Sequence, residues 1–125
     1  NFRYVHNQKW KQQTEENKMK LITTSLKNKL LNNAVTPGDK KPVLKLFNPC
    51  GNQTWLFTEM DKSEILYGLC DLGFGSPELG YVALSEIKEI KLPFGLSIER
   101  DASFKATKTL SKYAEESSNN GCIAA

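Results

Sequence analysis

The sequence predicts a single α+β domain: a mostly antiparallel sheet of four or five short strands, packed by an N-terminal and a C-terminal helix. Three observations carry this expectation. Apolar residues recur at helical spacing from Leu21 to Leu31. Between Val43 and Leu84, short runs rich in β-branched and aromatic residues alternate with clusters of turn formers. A second amphipathic stretch follows near residues 107–116. At 125 residues the chain can bury one modest core and not two.

The first eighteen residues, "NFRYVHNQKWKQQTEENK", are polar and carry no sustained apolar period. They read as an added or upstream-translated extension, or else a flexible arm, with the domain spanning 19–116 from Met19. Leu21, Ile22, Leu26, Leu30 and Leu31 then share one side of a helix. Thr23 to Ser25 can cap its first turn, and "TPGDKKP" stops it near residues 32–34.

"VLKLF" and "TWLFTEM", joined by "NPCGNQ", read as an antiparallel hairpin. Strict alternation in the second strand puts Trp55, Phe57 and Glu59 on one face. "ILYGLCDL" is a third strand, with Ile65, Tyr67, Leu69 and Asp71 on one side, and "LGYVAL" after the turn "GFGSPE" is a fourth. Gly68 and Gly80 inside these strands point to bulges or to close approach of a neighbour. "LSEIKEI" reads as a short helix capped by Ser85, broken by "LPFG". "LSIER", Leu96–Arg100, is an expected edge strand, the last helix runs from about Thr107 to Glu116, and residues 117–125 are expected to be loose.

The net charge of +3 leaves a nucleic-acid-binding module as an alternative that is not favoured, because residues 1–18 supply +2 of it and the remainder carries no concentrated basic stripe. No apolar run approaches the roughly 20 residues of a membrane-spanning helix. Cys50, Cys70 and Cys122 lack zinc-ligand spacing, and the one histidine, His6, precedes the expected domain. An odd cysteine count fits reduced, structural thiols in a cytoplasmic setting. "GFGSPELG" is no phosphate loop: Glu78 stands where a last glycine would be, and a strand rather than a helix follows. Serine catalysis lacks a histidine in the domain and a GxSxG motif. Nothing in the pattern requires a cofactor.

"LFNPCGNQTWLFTEMD", "YGLCDLGFGSPELGYVALSEI", "LSIERDASF" and "TLSKYAE" follow one another in an order that resembles bacterial domain-of-unknown-function family 2958. The resemblance covers nearly all of residues 19–116. It implies a short cytoplasmic protein of plasmids, conjugative elements and related mobile DNA, often encoded near transfer or antirestriction functions. It implies no catalytic activity and supplies no catalytic residues to carry over. It also supports a start at Met19.

The acids carry what chemistry the chain offers. Glu59, Asp71, Glu78, Glu99 and Asp101 fall at strand ends or in adjoining turns, where a sheet can unite distant groups. Three of them at one rim would hold a divalent cation, and two could divide acid and base roles in a metal-assisted hydrolase or nuclease. The alternative is structural: turn bonds for Asp71 and Asp101, backbone bonds for Glu78, and a cross-strand pair of Arg100 with Glu59 or Asp71. Trp55, Phe57, Tyr67, Phe74, Tyr81, Phe94 and Phe104 could in part stack on single-stranded nucleic acid, but the acids beside them favour core or interface packing. Phe74, between Gly73 and Gly75, is the expected exposed anchor. The leading expectation is a non-enzymatic accessory protein that binds another protein through Asp71, Phe74 and Glu78.

Overall fold

The structure, a computed structural model, describes residues 21–125, so the 1–18 segment and the expected start at Met19 lie outside the described residues. Helix α1 spans Thr24–Ala34. Thr23 caps it as expected, its hydroxyl oxygen accepting the Leu26 N–H at 3.2 Å. Strands β1 (Leu44–Phe47), β2 (Thr54–Met60), β3 (Ile65–Asp71) and β4 (Glu78–Ala83) form an antiparallel meander. Helix α2 (Leu84–Glu89) and a 3₁₀ turn (Pro93–Gly95) lead to β5 (Glu99–Arg100), and α3 (Leu110–Asn120) follows. The strand order is β4-β3-β2-β1-β5, all antiparallel.

Each face of this sheet has its own core. Leu44, Leu46, Trp55, Phe57, Met60 and Leu66 meet Leu30 of α1 and Leu84 and Ile87 of α2 on the first face. Leu56 and Leu69 meet Leu110 and Tyr113 of α3 on the second. The alternation of β2 and β3 sends neighbouring residues to opposite cores.

That alternation breaks once, and the break relocates Glu59. The register passes from Phe57 opposite Gly68 to Glu59 opposite Tyr67, so Thr58 is an extra residue in β2. Every residue after it changes sides. Met60 therefore joins Trp55 and Phe57 in the first core, and Glu59 stands on the second face beside Tyr67, not with the aromatics as strict alternation predicts. Asn33 of α1 holds the bulge by donating from Nδ2 to the Thr58 carbonyl at 2.9 Å. Gly68 is required opposite it: a Cβ there would lie 1.9 Å from the Leu56 carbonyl oxygen. Gly80, its partner across β3 and β4, has nothing within 4 Å of such a Cβ, so close approach explains one glycine and not the other.

Three other boundaries differ from the sequence reading. Helix α2 begins at Leu84 straight out of β4, with Ala83 at its cap and no side-chain cap bond, so Ser85 lies inside it. Strand β5 keeps only two residues, because the Leu92 N–H donates to the Leu96 carbonyl at 3.0 Å and folds Leu96 into a tight turn. Helix α3 starts three residues later than expected, since the Thr107 N–H is taken by the Tyr113 hydroxyl at 3.0 Å. It then runs on to Asn120, where Gly121 at φ 76° closes it through a 2.8 Å bond to the Ser117 carbonyl. Residues 117–125 are consequently not a loose tail: Ser117 is buried and Ile123 packs on the second core.

Candidate functional site

Strand register shows how far apart the five acids lie. Asp71 is opposite Thr54, which is opposite Phe47, which is opposite Glu99. Three strand spacings separate Asp71 from Glu99, about 14 Å. Glu59 lies five residues along β2 from Thr54, roughly 15 Å away. Glu78 is opposite Cys70 and so faces the first side of the sheet, whereas Asp71 faces the second. The five acids do not converge, and among the described residues no three His, Cys, Asp or Glu side chains are grouped to hold a metal ion.

Two of these acids serve the backbone. Asp71 is 3% exposed; its Oδ1 accepts the Gly73 N–H and its Oδ2 the Ile123 N–H, each at 3.0 Å. It therefore pins both the β3–β4 turn and the segment after α3. Asp101 accepts from the Ser103 N–H at 3.0 Å and hydroxyl at 2.8 Å, with Lys45 Nζ 3.4 Å away. The Ser103 hydroxyl, helped by Lys45, holds this carboxyl below the usual carboxylate range. Arg100 is opposite Leu46 and shares the first face, so it does not pair with Glu59 or Asp71 on the second. It reaches the Leu21 carbonyl at 3.4 Å.

The candidate site is therefore a surface. Of the trio Asp71, Phe74 and Glu78, only Phe74 and Glu78 reach solvent; Asp71 is a buried clamp and is removed from that surface. Phe74 is 87% exposed, held between Gly73 at φ 88° and Gly75 at φ 83°. The same turn exposes about half of Leu72, and the strand it leads into exposes Tyr81 (76%) and about half of Leu79. Leu79 and Tyr81 lie on β4, which forms one edge of the sheet. The Tyr67 and Tyr81 rings sit 4.8 Å apart at 48°, forming a short aromatic shelf that ends at this edge.

Beside the shelf is a groove of about 400 Å³ lined by Asp39, Lys40, Glu59, Tyr67, Leu79 and Ser111 among others. Asp39 stands at the start of α3, accepting the Ser111 N–H at 3.3 Å and the Ser111 hydroxyl. It supplies the cap that Thr109 does not, at the positive end of the helix dipole. The Ser111 hydroxyl and then Thr109 hold its carboxyl below the usual range. Tyr67 is pushed upward, first by burial and then by Tyr81, Glu59 and Asp39.

The remaining candidates are placed by the same geometry. Cys70 faces the first core, and burial pushes its thiol up to about 11, which makes it a poor nucleophile. Cys50 and Cys122 are exposed, and all three thiols are free. The aromatics make no single stacking platform: Trp55 and Phe57 are buried, and Phe94, 96% exposed at φ 62°, sits on the loop between α2 and β5. Sequence reading named Tyr81 only among the aromatics and missed Asp39; neither the edge position nor the α3 contact has a local signal.

No helix among the described residues is long and apolar enough to cross a membrane. Residues 14–124 match the family described as protein of unknown function (DUF2958). No curated protein and no solved structure matches the chain.

Proposed function

The chain belongs to the DUF2958 family, and from that membership we propose a non-enzymatic accessory protein of a bacterial plasmid or conjugative element. It acts in the cytoplasm by binding another protein through β4 and the Phe74 turn. One observation carries the binding reading: Leu79 and Tyr81 are exposed on the edge strand β4, and Leu72 and Phe74 in the turn that leads into it. Edge strands are ordinarily blunted by lysine, proline, a bulge or an inward-pointing charge. Within its span, "ELGYVA", β4 carries one charge, Glu78 at its start, and neither lysine nor proline. An apolar, unblunted edge is the feature a partner covers. The mobile-element setting rests on the family resemblance.

A photo-crosslinking amino acid placed singly at positions 74, 81 and 94 in the producing cell tests this. The expected result is one protein adduct shared by positions 74 and 81 and absent from 94. Adducts identical at all three positions, or none at 74 and 81, overturn the reading.

A further inference from the structure

We propose that the partner seated on β4 presents an arginine, and that the groove beside Tyr67 takes its guanidinium against the ring and the Glu59 carboxylate. The inference rests on reading β4 as a binding edge, and names the chemistry by which a protein there is recognised.

The bulge at Thr58 builds the arrangement. By moving Glu59 to the second face, it sets one cross-strand row: Glu59 opposite Tyr67, and Tyr67 opposite Tyr81 on the edge strand. Two strand spacings, about 10 Å, carry this row from the carboxylate to the edge. Glu59 is partly buried and lines the groove, yet among the described residues it accepts no hydrogen bond and forms no ion pair. A carboxylate drawn partly out of water gains most from a charged donor. Asp39, the other acid of the groove, differs, because its oxygens are engaged by Ser111 at the start of α3.

Charge selects the sign of the occupant. The lining carries the carboxylates of Asp39 and Glu59 against the ammonium of Lys40, which among the described residues pairs with neither. The N-terminus of α3, where an anion would otherwise be attracted, is already taken by Asp39. After burial and Tyr81, Glu59 and Asp39 push the Tyr67 phenol upward, the direction a negative potential gives. A phosphate or carboxylate is repelled here, and a cation is drawn in.

Shape and position select a guanidinium carried by a protein. The Tyr67 and Tyr81 rings, 4.8 Å apart, offer π faces in the same row as the carboxylate. A guanidinium is planar and weakly hydrated, so it stacks on a ring while its N–H edge reaches a carboxylate, whereas an ammonium is a strongly hydrated point charge. At about 400 Å³ the groove admits a side chain, and Leu79 and Leu110 line it for the alkyl stem. Leu79 is also exposed on β4, so the groove is continuous with the surface that the partner covers.

The test titrates the full chain with an acetylated, amidated Gly-Gly-Arg-Gly-Gly peptide and its lysine and citrulline counterparts, followed by backbone NMR shifts. The arginine peptide is expected to give saturable shifts at residues 39, 59, 67 and 111, the lysine peptide weaker ones, and citrulline, which keeps the shape and loses the charge, none. Glu59→Gln is expected to weaken the arginine peptide about tenfold or more at an unchanged urea midpoint. Glu99→Gln, on the strand at the opposite edge of the sheet, is expected to leave it unchanged. Absent shifts from arginine, equal shifts from citrulline, or equal affinity in Glu59→Gln overturns the inference, and lysine binding as tightly as arginine overturns the guanidinium. The crosslink at position 81 separates the two readings. An adduct formed alike by the wild type and Glu59→Gln retains the binding edge and removes the arginine; no adduct at 74 and 81 overturns the edge reading, and with it the assignment to a partner.

Discussion

On the first face of the sheet, α1 and α2 close over β1, β2 and β3, and Leu44, Leu46, Phe57, Met60 and Leu66 are 1% exposed or less. On the second, α3 and the segment after it lie over β3 and reach β1, where Lys45 Nζ donates to the Ala125 carbonyl at 2.6 Å. The β4 margin of that face is left uncovered, with Tyr81 and Leu79 on it. The same strands thus serve two purposes. The sealed face holds the fold, and the partly covered face provides surface without weakening the core beneath.

The contrast can be broken most sharply at Phe57. Phe57→Ala should cost about 3–5 kcal/mol in urea unfolding, because it empties a fully buried site between α1 and the sheet. A loss below about 1 kcal/mol would mean that the first face does not carry the stability. The two facing glycines should differ in sign. Gly68→Ala drives a methyl into the Leu56 carbonyl and should destabilise by about 1–3 kcal/mol or more. Gly80→Ala should stabilise by about 0.4–1 kcal/mol through the unfolded chain. Equal effects at the two positions would remove the bulge argument.

Asp71→Ala probes the second face. It leaves the Gly73 and Ile123 N–H groups without their acceptor and should cost about 1–3 kcal/mol. Hydrogen exchange should rise first at Ile123, and protection unchanged there would show that the clamp is not what holds the segment. The smallest effect is expected from Asp39. Its carboxyl titrates below its ordinary value in the folded chain, so the folded state binds its proton less readily than the unfolded state. The contribution is present above the ordinary carboxylate range, near pH 4, and is lost as pH falls through the lowered value. Asp39→Asn should flatten that part of the stability profile, and an unaltered profile would remove Asp39 as the cap of α3.

Much of the fold was legible because its signals are local. Thr23 caps α1 through a bond three residues long, and β2 spans Thr54–Met60 as its composition suggests. The Asp71 bond to Gly73 is likewise a two-residue turn signal. What failed to show was set by partners distant in sequence. The bulge at Thr58 depends on how β3 pairs with β2, and Glu59 changed faces with it. The Asp71 bond to Ile123 spans 52 residues, so nothing near residue 117 indicated that the chain beyond it was held. The edge position of β4 follows from β5 adding beside β1 and not beside β4, a choice with no signal in either strand.

The Asp71 clamp also imposes an order of events during translation. The β1–β4 meander and the α1 layer are made of residues emerging early, and their contacts are between chain neighbours in the meander. The second core cannot be completed until residue 123 has been polymerised and released from the ribosomal tunnel. A nascent chain therefore leaves Leu56 and Leu69 uncovered after the residues that close the first face have emerged. Chaperones that scan emerging polypeptides should find their binding window on that side.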